Sequence, residues 1–235
     1  GRPYYNSAFL CTKNKIVKVF RKELLPTGDV FDEARFVEKG SLKNNYFQLG
    51  QFKFFLTICE DIWAWENKDY KENPLKSVPL KKVDLVINMS ASPFFLNKLA
   101  QRKFVTQQTA KHFKAPVLYV NLVGAQDEMI FDGRSFLVDT KGKTVFQQLA
   151  FEQDTNVFDL SNLEPWSPKR TEDKPVDLLR KSLVLGIKDY VIKTGFTKVH
   201  LGLSGGIDSA VVAALAVDAL GPQNVSLFAL PTKFN

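Results

Sequence analysis

FKFFLTICEDIW, residues 52–63, is the stretch that decides how most of this chain is read. The run ending at Cys59 is rich in Phe, Leu, Thr and Ile, which predicts a strongly apolar strand. Cys59 closes it, and two acids and a tryptophan follow at once. An acid directly after an apolar strand is not core patterning, and strand ends are where α/β proteins place chemistry. A cysteine on a strand is ordinarily a small buried hydrophobe, and Cys11 in SAFLC is read that way. Cys59 is read instead as a candidate nucleophile.

Working outward, further strands are expected over residues 7–11, 16–21, 85–89, 117–121, 135–138, 144–149 and 156–160. Gly142 between two of these runs predicts a hairpin. Leu96, Leu99, Ala100, Phe104, Thr109 and Phe113 recur at helical spacing before Pro116, so residues 96–113 are expected to form a helix. Residues 161–175, SNLEPWSPKRTEDKP, mix prolines with charges and lack periodicity, which predicts an exposed connection between a first domain, 1–160, and a second, 176–235. Beyond it, a helix over 176–194 precedes a strand over 198–203, a helix over 207–220 and a strand over 225–230, which is one βαβ unit.

Within that unit, LGLSGGIDSAVVAALAVDAL (residues 201–220) sets Ser204, Gly205, Gly206, Ile207, Asp208 and Ser209 between an apolar strand and an alanine-rich helix. Unpaired amides and the positive end of the helix dipole converge at such a junction, and glycines let the backbone approach an anion closely. The bland alternative is a tight turn in which Ser204 only caps the helix. No Gly-Lys-Ser/Thr follows the glycines, so a P-loop kinase or GTPase is not indicated.

Composition narrows the classes further. Hydrophobic content of 45% supports a packed core, and no apolar run approaches the about 20 residues of a membrane helix. The net charge of +7 is spread along the chain without zinc-ligand spacing or a nucleic-acid motif, so it reads as a solvated surface and no nucleic-acid or membrane partner is expected. Two distant cysteines argue against a disulfide framework and for the cytoplasm.

Four blocks carry a family resemblance. Lys22 leads Leu25, Pro26, Val30, Phe31, Asp32 and Glu33; Cys59, Glu60, Asp61 and Trp63 follow; then come INMSASPF at 87–94 and YVNLVGAQDEMIFDGRSF at 119–136. Together they resemble the nitrilase superfamily in its NAD synthetase branch, and SGGIDS resembles the pyrophosphate loop of the N-type ATP pyrophosphatases. The resemblance implies an α/β fold: a nitrilase-like α-β-β-α sandwich followed by the start of a doubly wound, Rossmann-like parallel sheet. It implies a homo-oligomer that takes glutamine, deamido-NAD and ATP as substrates with Mg2+, releasing AMP and pyrophosphate. Cys59 would attack the glutamine amide and Lys22 would stabilise the oxyanion, with Ser92 and Lys98 at the carboxylate of glutamine and Glu33 and Glu60 near its amine. Ser204, Gly205, Gly206, Ile207 and Ser209 would hold ATP, Asp208 would bind the metal, and residues 231–235, PTKFN, would lie near the adenine.

Two departures from the family pattern stand out. Thr27 and Gly28 replace an Asn-Tyr pair, so an aromatic wall of the amide pocket is expected to be absent or supplied from elsewhere. The triad glutamate should precede Lys22, yet residues 1–21 contain no acid, so the chain is expected to be incomplete at both ends. His112 and His200 are expected to have structural roles rather than replace that base. The competing readings are an inactive or structural fragment and another nitrilase-type amidase.

Overall fold

The computed structural model describes residues 2–28, 31–65, 70–163 and 174–229. A hairpin of β1 (Ser7–Thr12) and β2 (Lys15–Arg21) is followed by the single turn α1 (Glu33–Phe36), β3 (Tyr46–Leu49) and β4 (Phe52–Ile58). A 3-10 segment, Cys59–Trp65, and the turn α2 (Pro74–Ser77) lead to β5 (Leu85–Ser90), α3 (Lys98–Phe113) and β6 (Val117–Asn121). Two hairpins come next, β7 (Val123–Gln126) with β8 (Met129–Asp132) and β9 (Phe136–Val138) with β10 (Thr144–Gln147). Then follow α4 (Pro175–Lys193), β11 (Val199–Leu203), α5 (Ile207–Leu220) and β12 (Val225–Ala229).

One six-stranded sheet, in the order β10-β9-β6-β5-β4-β3, frames the first part. Its centre, β4, β5 and β6, is parallel, and the flanking strands are antiparallel. Parallel strands are covered on both faces, which is why these runs are mostly apolar rather than alternating. Phe55, Val86, Val117 and Tyr119 pack with Val105, Ala110 and Phe113 of α3 on one face. On the other, Leu56 and Ile58 meet Ala8 and Phe20 of the β1–β2 hairpin. Helix, sheet and second sheet thus lie in the layer order the resemblance implies.

Several expectations need correction. Cys11 is exposed, because β1 turns it away from the Ala8–Phe20 contact. Residues 156–160 form no strand: Asn156 bonds Asp154 and Asp159 bonds Ser161, while Phe158 packs edge-on against Phe146 and Val157 is exposed, so the segment is held by side-chain contacts without a ladder. β3 and the β7–β8 hairpin were not foreseen; the latter turns through Asp127 at φ 49°, without the usual glycine. The buried stripe of α3 is Arg102, Val105, Thr106, Thr109, Ala110 and Phe113, whereas Leu96 precedes the helix and is exposed, as is Phe104. Polar side chains hold that stripe because each is satisfied. Thr106 and Thr109 donate back to the carbonyls of Arg102 and Val105. Arg102 pairs with Asp132 at 2.7 Å and donates to Ser92 Oγ and to the carbonyls of Ser92 and Pro93.

In the second part, β11 and β12 run parallel with α5 between them, as expected of a βαβ unit. α4 packs on α5 and on the β7–β8 hairpin. Asp189 accepts the Ala125 N–H at 2.7 Å while Lys193 donates to the Ala125 carbonyl at 2.6 Å, so the helix grips both ends of one residue of the hairpin. Much of the expected connection (164–173) and the segment expected near the adenine (231–235) lie outside the described residues. Among the described residues no helix is long and apolar enough to cross a membrane.

The Arg102–Asp132 pair is fully buried. Removing one partner of such a pair leaves an uncompensated charge, at a loss of about 3–5 kcal/mol. Asp132→Ala should therefore lower the unfolding free energy of the first part by that order, read as a lower urea midpoint, and a midpoint within experimental error of the unchanged protein would contradict this account of α3.

Candidate active site and phosphate loop

Cys59 sits at the C-terminal end of β4 in a left-handed conformation, φ 44°. A side chain there is strained by about 1–3 kcal/mol and persists only where its surroundings over-determine it. Asn88 does part of that work, donating from Nδ2 to the Cys59 carbonyl at 3.3 Å and to Thr57 Oγ1 at 2.9 Å while accepting from Ser90 Oγ at 2.6 Å. The sharp turn lifts the thiol off the strand. Burial pushes the Cys59 thiol up; the Lys22 charge pulls it back down, Glu60 raises it, and the Ala91 amide and Ser90 hydroxyl lower it again. Burial prevails, so the resting group is a thiol and its reaction requires a base.

Lys22 follows β2 and is almost fully buried. Its ammonium donates to both oxygens of Glu33 at 2.8 Å. Glu33 is thus turned to Lys22 rather than to the larger chamber in which Glu60 lies, because a buried ammonium requires a counter-charge and bond acceptors. Lys22, Glu33 and Cys59 share a cavity of about 310 Å³ with Ala8, Phe31 and Ser90.

Beneath them lies Asp61, whose side chain is fully buried. Oδ1 accepts the N–H groups of Glu23 and Leu24 at 2.8 and 2.9 Å, and Oδ2 accepts that of Ile58 at 2.8 Å. The sequence reading matched Asp61 to a motif without giving it a role; its signal was an acid two places beyond the strand. Asn88 likewise falls in a matched block, INMSASPF, with no role given, and Arg102 was missed outright. Arg102 carried no signal, since nothing in a helical pattern marks a buried arginine.

On the other side of Cys59 is a chamber of about 540 Å³. Glu60, Ser92 and Lys98 line it together with Phe31, Trp63, Tyr70 and Phe95. Those rings supply aromatic walls that Thr27 and Gly28, also at the lining, do not. Tyr70 donates to Glu60 at 2.7 Å, and the Lys98 ammonium lies 3.9 Å from the Trp63 ring centre. Ser92 is held from behind by Arg102 and by Asn121, which accepts its N–H at 2.9 Å. The chamber is therefore an amphipathic slot with an anion, a cation and a hydroxyl at fixed places. His112 bonds the Leu75 carbonyl at 3.0 Å and His200 stands edge-on to Phe228, so neither lies at the chamber.

The loop of residues 204–209 forms a second, exposed site. Gly205 has φ 80°, which glycine adopts without strain. Ser204 Oγ and Ser209 Oγ lie 3.2 Å apart, Ser204 Oγ accepts the Gly206 N–H at 3.3 Å, and Ser209 donates to the Gly206 carbonyl at 3.0 Å. Gly206 is the N-cap of α5 and makes no side-chain cap, so the following helix-start amides stay available to an anion. Asp208 is exposed in that first turn. Among the described residues no group of three or more His, Cys, Asp or Glu could hold a metal by itself.

Comparison with known proteins covers both parts of the chain. The carbon-nitrogen hydrolase family profile matches residues 1–166 and that of NAD synthase matches residues 179–235. The glutamine-dependent NAD(+) synthetase of Synechocystis sp. is 43% identical over 98% of this chain and 43% of its own length. Its counterpart from Aquifex aeolicus is 34% identical over 100% of this chain and 47% of its own length. The structure of glutamine-dependent NAD+ synthetase from Acinetobacter baumannii in complex with ADP superposes with a TM-score of 0.86 at 35% identity, covering 98% of this chain and 43% of that one. The chain thus spans less than half the length of these relatives.

Asp61 gives the site a pH signature. Burial pushes its carboxyl up to about 7, against the three N–H bonds and the Lys22 charge. The folded state then keeps a proton that the unfolded chain releases near pH 4, so the stabilisation is complete below about pH 4 and is lost as pH rises to about 7. The difference in melting temperature between the unchanged protein and Asp61→Asn should fall across that window and level off above it; a difference independent of pH would count against this assignment.

Proposed function

The chain belongs to the carbon-nitrogen hydrolase family through residues 1–166 and carries an NAD synthase segment over residues 179–235, and on that premise we propose that the whole protein is a glutamine-dependent NAD synthetase. The first part releases ammonia from glutamine. The second uses ATP to adenylate the nicotinate carboxylate of deamido-NAD with release of pyrophosphate, and ammonia then displaces AMP from the adenylate to give NAD. The observation that carries the proposal is the meeting of Lys22 and Cys59 at one cavity, beside a slot lined by Glu60, Ser92 and Lys98.

An amide carbon is a poor electrophile, so the reaction needs a thiolate and a cation beside the developing oxyanion. Cys59 Sγ attacks the side-chain carbonyl carbon of glutamine, Lys22 Nζ donates to the oxygen as it becomes an oxyanion, and ammonia leaves as the thioester forms. Water then releases glutamate. Glu33 keeps Lys22 aimed. The removal of the thiol proton falls, by the family resemblance, to a glutamate with no counterpart in residues 1–21. In the slot, Lys98 and Ser92 suit the carboxylate of glutamine and Glu60, oriented by Tyr70, its ammonium. The reactive thiol suits a reducing cytoplasm, and assembly as a homo-oligomer belongs to the same proposal.

At the second site the backbone amides and the hydroxyls of Ser204 and Ser209 suit the departing β and γ phosphates of ATP. The ADP held by the Acinetobacter baumannii relative supports a nucleotide there. A single carboxylate, Asp208, fits Mg2+, which takes one or two protein carboxylates and completes its shell with phosphate oxygens and water. When bound, Mg2+ supplies charge neutralisation to the phosphates.

Two substitutions test the halves separately. In the whole protein, Cys59→Ala should abolish NAD synthesis from glutamine and spare synthesis from ammonium, and Lys22→Ala should lower the glutamine-driven rate on the order of 100-fold or more. Glutamine use surviving in Cys59→Ala would overturn the amidase assignment. Asp208→Ala should suppress AMP, pyrophosphate and NAD in step by weakening magnesium binding. Stoichiometric ADP and inorganic phosphate would overturn the pyrophosphatase assignment.

A further inference from the structure

The backbone of Lys22 is paired to the Asn6 carbonyl and the Gly40 N–H, at 2.9 and 2.8 Å, and neither bond reaches the Cys59 turn. Asp61 reaches both segments. Glu23 and Leu24, which directly follow Lys22, donate to one of its oxygens, and Ile58, which directly precedes Cys59, donates to the other. We propose that Asp61 is the positioning residue that sets the reach between the Lys22 ammonium and the Cys59 sulfur, by tying the two segments that carry them to a single buried carboxyl group. This rests on the reading of Lys22 as the oxyanion cation and Cys59 as the nucleophile.

The chemistry of the side chain fits that task. Three donors converge on it from two directions, so the group between them must present acceptors on both sides. A carboxyl group does so in either protonation state, since an acid whose Oδ2 is protonated still accepts at Oδ1 and at the second position of Oδ2. Asparagine has one acceptor and one NH2 group, so in either orientation a donor faces a donor. A buried N–H left without a partner costs about 1–3 kcal/mol, enough for its segment to move. The segment that moves carries either the cation or the nucleophile.

The consequence is kinetic. A misplacement of about 1 Å between reacting groups lowers a rate on the order of 100-fold. In the whole protein, Asp61→Asn should therefore lower kcat with glutamine by about 10- to 100-fold. KM for glutamine should change less than kcat, because only Glu60 of the slot shares the Asp61 segment while Ser92 and Lys98 are held by other elements, and the ammonium-driven rate should be unchanged. Alkylation of Cys59 by iodoacetamide should persist in Asp61→Asn, with the thiol present but mispaired, and Asp61→Glu should restore part of kcat. An unchanged kcat, or a parallel fall in glutamine-driven and ammonium-driven rates, overturns the inference. So does loss of folded protein in both variants, which would make Asp61 a stability residue only. Cys59→Ala separates the two levels: glutamine use surviving there removes the nucleophile reading itself, whereas loss of glutamine use there with full kcat in Asp61→Asn removes this inference alone.

Discussion

Three backbone amides converging on one buried carboxyl group hold this molecule's reactive corner together. Asp61 belongs to the 3-10 segment that starts at Cys59, so the group that fixes the cysteine turn to the Lys22 segment is itself part of that turn. The arrangement explains why β4 can end in a left-handed residue. The strain at Cys59 is met by Asn88 on its carbonyl and by Asp61 on the amide just before it. Removing either support leaves a non-glycine residue in a conformation it would otherwise abandon.

The same corner concentrates buried polarity. Lys22, Asp61, Asn88, Ser92, Arg102 and Asp132 are all buried, Arg102 from α3 and the others from strands or the segments that follow them. Each has partners at hydrogen-bond distance, so the network is satisfied rather than tolerated. Ionic groups in such a place stabilise a fold little, and apolar replacements of the same shape often do as well. What they supply is definition: a cation, an anion and a hydroxyl held to rotamers that an apolar core would not specify.

How much of this was legible depends on the length scale of the signal. The apolar strands of the central sheet, the α5 helix and the phosphate loop each declared themselves within about a dozen residues, through composition and punctuation. The family resemblance was legible where it was written as a block, as in CEDIW and SGGIDS. What failed was what depends on partners far along the chain. Arg102 is buried because Asp132 and the Ser92 carbonyl receive it, so the helical pattern of apolar residues found Thr109 and Phe113 of the buried stripe of α3 but not Arg102, and counted Leu96 and Phe104, which are exposed. Glu33 was expected at the substrate amine, but its distance from Lys22 in space, unlike in sequence, is 2.8 Å. Residues 156–160 had strand composition and no sheet edge to join.

The grip of α4 on the β7–β8 hairpin bears on how the two parts of the chain can be recombined. Asp189 and Lys193 clasp one residue, Ala125, from adjacent turns of the helix, and Gly186, one turn earlier, faces Ile130 so closely that a Cβ would lie 3.2 Å from it. All three contacts fall on one stripe. Inserting a single residue between Gly186 and Asp189 would rotate everything after it by about 100°, carrying both charges off the hairpin while the glycine stayed behind. The helix therefore acts as a keyed joint: a graft that exchanges the second part between relatives keeps its seat only if the spacing from Gly186 to Lys193 travels with it.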